Sequence, residues 1–313
     1  MLDNLIVCLE AVFPIFALLL VGYVTKRLGM LNRADVARMN GAIYRVFMPA
    51  MVFYNLYSSD LDTAIRPGLV AYALIAVLLV TGASLLLVIR TEPVRNRRGV
   101  IVQALYRSNL VIIGVPVVER LMGAENLGPV VFLMATVVPL FNVMAVVLLE
   151  YYGGEKTRPG RLLLDILKNP LIVGSLAGIL ALLLKLRLPS PLEVLVRQMA
   201  NANSPILIFL LGVFLQVDGL RGDWKAVSLV SLGRLVFVPM LTLIPAALLG
   251  FRGVELASLI PVFASSAAVG SFTMAQQMGG DAELAGNVVV VTSALCPLTM
   301  FFWCFLFKSL GMI

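Results

Sequence analysis

Arg107-Ser108-Asn109-Leu110-Val111-Ile112-Ile113-Gly114-Val115-Pro116 sets three polar residues directly before a Gly-x-Pro, inside an apolar run from about residue 99 to about 121. Glycine and proline weaken a helix, and broken backbone at membrane depth is tolerated only where protein or a water-filled cavity surrounds it. Counted from Arg98, Asn109 lies 11 residues in, or ~16 Å at helical rise and close to mid-bilayer. A second stretch, Pro261-Val262-Phe263-Ala264-Ser265-Ser266-Ala267-Ala268-Val269-Gly270-Ser271, carries its serine pair to similar depth, 12 residues past Gly253. The two clusters are expected to enter from opposite faces and meet. The bland alternative is that Ser and Asn bond neighbouring helices and Pro116 only kinks its own. The matched pair favours a site.

The surrounding composition makes lipid the solvent. Hydrophobic residues form 60% of the 313-residue chain and charged ones 13%, with a mean hydropathy of +1.00, whereas soluble domains are about half apolar and a quarter charged. The spans read as 5–25, 37–57, 67–89, 99–121, 127–151, 165–186, 192–217, 226–249, 254–277 and 283–307. Each is near the ~20 residues a helix needs to cross hydrocarbon. The start, Met1-Leu2-Asp3-Asn4, lacks the basic n-region of a secretory signal, so the first helix is expected to be retained. The predicted architecture is an all-α membrane protein of ten transmembrane helices.

The formal charge of +7 does not indicate nucleic acid, because Lys and Arg sit in short loops between spans. Fourteen fall on one side, from Lys26 and Arg27 to Arg221 and Lys225, and seven on the other, from Arg66 to Lys308. Cytoplasmic loops collect such residues, so both termini are expected outside a cytoplasmic membrane. No histidine is present, which removes Ser-His and Cys-His catalysis and HExxH chemistry. Cys8, Cys296 and Cys304 lie inside apolar runs without metal-ligand spacing, and there is no Walker loop or GxGxxG. No metal or cofactor is expected beyond coupling to H+ or Na+.

An offset of 156 pairs Pro14 with Pro170, Gly22 with Gly178, Pro49 with Pro205, Gly114 with Gly270, Gly123 with Gly279, and Asp62 with Asp218. It maps five helices onto five, and since five is odd the second copy must run through the membrane the other way. That is the inverted repeat of many secondary transporters. Residues 1–153 form the expected first repeat, 154–164 a cytoplasmic connector and 165–313 the second repeat.

Within this frame the substrate-binding candidates are Arg107, Ser108, Asn109, Gly114, Pro116, Ser265, Ser266, Gly270, Ser271 and Arg234. Arg107 and Arg234 each lie ~13 Å inside the boundary, where a guanidinium is costly unless it faces water or a partner. A fixed cation there favours a carboxylate, which Arg grips through two parallel hydrogen bonds. Arg45 is nearer the surface, where snorkelling serves equally well. Glu10, Asp62 and Asp218 are the coupling-ion candidates, against the plainer reading of boundary carboxylates. Gln276 and Gln277 either line the inner mouth or cap a helix. The GxxxG of Gly174 to Gly178 marks either a homodimer seam or close packing within one chain, the latter being the preferred reading.

These segments resemble the auxin efflux carrier family, which includes bacterial carriers for malonate and related acids. The resemblance rests on Phe13-Pro14 with Gly22-Tyr23, Phe47-Met48-Pro49-Ala50, Ser108-Asn109 with Gly114-Val115-Pro116, Asn169-Pro170-Leu171-Ile172, Ser204-Pro205 and Leu295-Cys296-Pro297-Leu298. It implies a bile-acid-symporter-like fold with intertwined scaffold and transport domains, broken crossover helices four and nine, and elevator-like alternation of access. It implies that Asn109 and the Gly114 to Pro116 turn form the first crossover and that Ser265 to Gly270 occupy the second. Phe272 stands at the offset partner of Pro116, so the second break must rely on glycine and small residues. The expected activity is secondary transport of a small organic anion, a carboxylate or dicarboxylate. A membrane-embedded scaffold or sensor, and an intramembrane enzyme, are the rival classes; absent His and isolated carboxylates speak against the enzyme.

Overall fold

The computed structural model describes residues 2–58, 67–153, 159–215 and 223–313, without the side chains of 2–12 and 159–163. Among the described residues there is no β-strand. Among the same residues, five helical stretches are long and apolar enough to cross a membrane: Pro67–Thr91, Gly128–Gly153, Ser190–Phe214, Trp224–Leu248 and Ala282–Ser309. At 25 to 28 residues each they reach ~37 Å or more, against ~30 Å of hydrocarbon. Shorter apolar helices, among them Pro170–Leu183 and Val254–Ala264, complete the bundle.

In chain order the helices are α1 (Leu2–Arg27), α2 (Arg33–Ala42) running through a π turn at Ile43–Phe47 into α3 (Met48–Tyr57), α4 (Pro67–Thr91), α5 (Arg95–Tyr106), α6 (Leu110–Met122) and α7 (Gly128–Gly153). Then follow α8 (Pro159–Lys168), α9 (Pro170–Leu183) and α10 (Ser190–Phe214). A second π turn at Gly233–Phe237 joins α11 (Trp224–Leu232) to α12 (Val238–Leu248), and α13 (Val254–Ala264), α14 (Gly270–Gln277) and α15 (Ala282–Ser309) close the chain. Each π turn is followed two residues on by a proline, Pro49 or Pro239, which has no N–H to give to the preceding turn.

Glycine brings particular pairs into backbone contact. A Cβ on Gly22 of α1 would lie 2.1 Å from Phe209 O of α10, and one on Gly212 of α10 would lie 2.2 Å from Leu19 O of α1. The same device joins α9 to α3, where a Cβ on Gly174 would meet Pro49 O at 2.8 Å and one on Gly178 would meet Leu56 Cβ at 2.9 Å. The GxxxG of α9 therefore serves packing within the chain. Leu78, Leu79, Leu86 and Leu87 of α4 and Leu176, Leu180 and Leu183 of α9 are exposed, as lipid-facing side chains are.

Polar contacts gather the loops at two ends. At one, Arg97 pairs with Asp223 and, at 3.1 Å, with Asp281, Arg33 lies 3.7 Å from Glu283, and Lys26 donates to Leu215 O. At the other, the Tyr57 hydroxyl accepts from Leu188 N–H, and Gly253 N–H donates to Met312 O. The first end carries the cationic loops.

The helix beginning the second half differs from the expected span 165–186. Asn169 closes α8 and caps α9, its Oδ1 accepting the Leu171 N–H at 3.0 Å, while Pro170 occupies the first helical position. A residue before proline is pushed out of the helical region, so the chain turns there. The 14 residues of α9 reach only ~21 Å.

Candidate functional site

Two helices are interrupted, and the interruptions cross. The first break, Arg107 to Asn109, separates α5 from α6; the second, Ser265 to Val269, separates α13 from α14. Arg107 (φ −83°, ψ 107°) and Ser265 (φ −76°, ψ 164°) are extended, so each segment offers strand-like N–H and C=O groups. These pair antiparallel at Ser108 and Ala267. Asn109 N–H donates to Ser266 O at 2.9 Å and Ala268 N–H to Arg107 O at 3.2 Å. Thr292 of α15 accepts the Ala267 N–H at 3.2 Å and fixes the second segment from behind. The crossing thereby satisfies backbone that hydrocarbon would leave orphaned.

Of the residues expected at the first crossover, Asn109 stands at the break and the Gly-x-Pro does not. Gly114 and Pro116 both belong to α6. A Cβ on Gly114 would lie 3.7 Å from Pro261 Cβ, an ordinary packing distance between α6 and α13. Pro116 lines a cavity between helices. Polar residues able to pair in extended form, rather than the proline, stand at the interruption.

Neither α6 nor α14 has a side-chain N-cap. In α14 Ser271 N–H donates to Ala268 O at 2.9 Å and Phe272 N–H to Val269 O at 3.2 Å. The positive dipole ends of both helices, the first-turn N–H groups of α6 and the N–H of Gly270 are thus what face a ligand. Both ends adjoin a cavity of about 50 Å³ lined by Ser108, Asn109, Val111 and Ile112 on one side, Ala268, Val269 and Gly270 on another, and Met48, Met51, Asn203 and Ser204 opposite. Arg107 reaches it too; its guanidinium is buried, donates to Asn142 Oδ1 at 2.8 Å and touches Met274. Around this space Ser108 Oγ, Asn109 Nδ2, Asn142 Nδ2 and Asn203 Oδ1 are buried without a hydrogen-bond partner among the described residues. Buried polar atoms are nearly always bonded, so such a cluster calls for a ligand or water. A cation, two amide N–H groups and two helix N-termini together form an anion-binding environment.

A larger cavity of about 710 Å³ adjoins it, sharing Ile112 and Ser204. It is lined by Pro14, Ile15 and Leu18 of α1, Pro116, Glu119 and Arg120 of α6, and Pro205 and Ile208 of α10. It leads from the crossing toward the far end of α6. On the opposite side the way is closed by polar contacts between α2 and α14. Asn40 donates to Gln276 Oε1 at 2.7 Å and accepts from Thr273 at 3.3 Å, and Gln277 donates to Ala37 O at 3.4 Å.

Arg107, Ser108, Asn109 and Gly270 are thus brought together at the small cavity. Ser265, Ser266 and Ser271 are buried, but their hydroxyls are not among its lining; Ser265 and Ser266 act through their carbonyls. Arg234 also departs from the expected carboxylate grip. It is fully buried and outside the cavity lining, and it donates to four backbone carbonyls: Ser265 at 2.9 Å, Leu105 at 3.0 Å, Val262 at 3.1 Å and Tyr106 at 3.3 Å. Arg45 is exposed. The side chain of Glu10, and all of Asp62 and Asp218, lie outside the described residues. Asn142, Asn203 and the methionines Met48, Met51 and Met274 join the site without having been singled out. The lone Asn142 in an apolar span, and the polar run from Gln198 to Ser204 ahead of Pro205, were the available signals.

A family model described as membrane transport protein matches residues 7–304. The chain is 25% identical to an uncharacterized transporter of Methanothermobacter thermautotrophicus over 304 residues, covering 94% of this chain and 96% of that protein. It is 22% identical over 315 residues to a Rhizobium meliloti protein named "Putative malonate transporter", with 95% of each chain covered. A transporter of Methanocaldococcus jannaschii is 22% identical over 308 residues, 94% of this chain and 97% of that one. These matches describe an integral membrane transporter rather than an enzyme. With nearly its whole length inside the match, the chain belongs to the auxin efflux carrier-type family of membrane transport proteins.

Proposed function

We propose that the protein is a secondary transporter that carries a small organic anion, a mono- or dicarboxylate of about the size of malonate, across the cytoplasmic membrane. The observation carrying this reading is the convergence of two uncapped helix N-termini and the buried Arg107 on one cavity ringed by unpartnered polar atoms. Half-helix N-termini aimed at a midplane site are how broken-helix transporters hold anionic groups. Arg107 supplies the charge, Asn109 and Asn142 supply amide donors, and Ser108 supplies a hydroxyl able to give or accept. The name of the Rhizobium meliloti relative agrees with such a substrate.

The chain is read as ten traverses in two inverted five-helix repeats, with both termini outside. Two features support this. The α1–α10 and α9–α3 contacts are the pair that an exchange of repeats would generate from each other. Gly123 and Gly279, 156 apart, end α6 and α14 with φ of +90° and +74°. On this reading α1, α2–α3, α9 and α10 form a scaffold, the crossing helices belong to a moving transport domain, and the cavities lie between them. The small cavity, about 50 Å³, adjoins one of about 710 Å³, so substrate enters through the larger. Glu10, Asp62 and Asp218 remain the candidates for a coupled proton.

The test is uptake of radiolabelled malonate and competing acids into proteoliposomes. Arg107→Ala abolishes uptake while the purified variant still melts cooperatively. Uptake unchanged by that substitution would remove the anion site from this crossing.

A further inference from the structure

Interrupting two helices frees negative ends as well as positive ones. In an unbroken helix Leu105 O, Tyr106 O, Val262 O and Ser265 O would each accept an N–H four residues on. Here the Asn109 N–H goes to Ser266 O instead, and the four carbonyls end α5 and α13 without helical partners. Each helix C-terminus carries roughly half a negative charge, so two converging ends amount to roughly one. Freed carbonyls and half-helix C-termini of this kind are where transporters built on broken helices coordinate a coupling cation.

In this chain that position is taken. Arg234 reaches all four carbonyls with three different nitrogens, at 2.9 to 3.3 Å. The surroundings are shaped to bring it there. It projects from the π turn Gly233–Phe237, whose Leu235 carbonyl accepts from Trp303 Nε1 at 3.2 Å. A Cβ on Gly233 would stand 2.6 Å from Leu105 Cδ2, so the glycine leaves room for the Leu105 side chain at the end of α5. The four carbonyls are met by three nitrogens of one planar fork, a geometry that a guanidinium supplies and an ammonium does not.

We propose that Arg234 is a tethered counter-cation. It permanently fills the place at the crossing where a transporter of this build would bind a coupling cation, so the anion site is held in register without sodium. This rests on the transport reading for its consequence, but not for its geometry. Arg234 is a positioning residue: it holds α5 and α13 by their ends, and thereby fixes where the N-termini of α6 and α14 point.

Thermal melting of the purified protein tests the geometry without any transport substrate. Arg234→Ala melts lower than the parent and recovers toward it with tens of millimolar methylguanidinium, which leaves the parent unchanged. Arg234→Lys stays closer to the parent than Arg234→Met, which keeps volume and loses charge. A loss that methylguanidinium does not reverse, or equal melting of the Lys and Met variants, would overturn the proposal. Should Arg234→Ala not fold, the Lys and Met pair decides it. Uptake by the parent runs at the same initial rate in sodium and choline media, and a tenfold drop without sodium would also overturn it. If no organic anion is carried at all, the melting result still stands, so the two failures are distinguishable.

Discussion

Asn142 of α7 and Asn203 of α10 approach the crossing, and each spends one amide atom on a neighbour. Asn142 accepts from Arg107 and Asn203, which lines the cavity, donates to Met51, leaving Asn142 Nδ2 and Asn203 Oδ1 without partners among the described residues. Removing the Asn142 amide leaves the Arg107 guanidinium short of its acceptor, at ~1–3 kcal/mol for an unmet buried group. Asn142→Leu should therefore lower both the melting temperature and uptake, and a variant that transports like the parent would show that Arg107 needs no such support. Arg107→Lys keeps the charge and loses the fork, so uptake should fall about tenfold, ~1.4 kcal/mol; full activity would mean that a point charge suffices. Arg107, Ser108 and Asn109 were legible in the sequence because three polar residues precede a Gly-x-Pro at mid-depth. Asn142 was not, since a lone amide in an apolar span most often bonds the next helix, and Asn203 was one of several polar residues between Gln198 and Ser204 with nothing local to single it out. Arg234 was legible as a buried charge, but its partners are carbonyls made available by breaks far away in sequence, which no local pattern reveals.

Helix extents followed from apolar length, because a ~30 Å slab demands ~20 residues. The interruptions were harder to place. Tyr106 and Ala264 end their helices 158 apart, while the glycine caps that close α6 and α14 are 156 apart. A single offset therefore cannot fit both, and the observed pairing of Ser108 with Ala267 answers to hydrogen bonding across the chain. Similarly, Asn169-Pro170 punctuates what hydropathy reads as one span, because capping energy is invisible to an apolar count. Glycine contacts give the sharpest expectation at this scale. The atoms a Cβ on Gly22 would strike are backbone atoms of Phe209, Gly212 and Val213, which cannot swing aside. Gly22→Leu should separate α1 from α10 and abolish cooperative melting, whereas Gly82→Leu on α4, where nothing lies within 4 Å, should melt like the parent. Equal behaviour of the two variants would mean that this contact does not hold the bundle.

The whole molecule is asymmetric about the crossing: a cavity of about 710 Å³ opens along α6 to one end, and the α2–α14 contacts close the other. Alternating access requires those contacts to break while the opposite side closes, so their strength helps set the resting balance between the two states. Asn40 is fully buried and makes two of these bonds, to Gln276 and Thr273. At ~1 kcal/mol net each, losing them moves the balance by a factor of roughly 5–30. The reporter is Ser204, which lines both cavities. In a variant with Cys8, Cys296 and Cys304 replaced, Ser204→Cys should react readily with an impermeant maleimide from the side of Glu119 and Arg120, and slowly from the side of Arg97. Adding Asn40→Ala should slow the first reaction and speed the second, because fewer molecules rest with the Glu119 side open. Labelling that speeds from both sides would indicate local loosening, and labelling that changes from neither would mean that the α2–α14 amides hold the closed end in place without setting which end is closed.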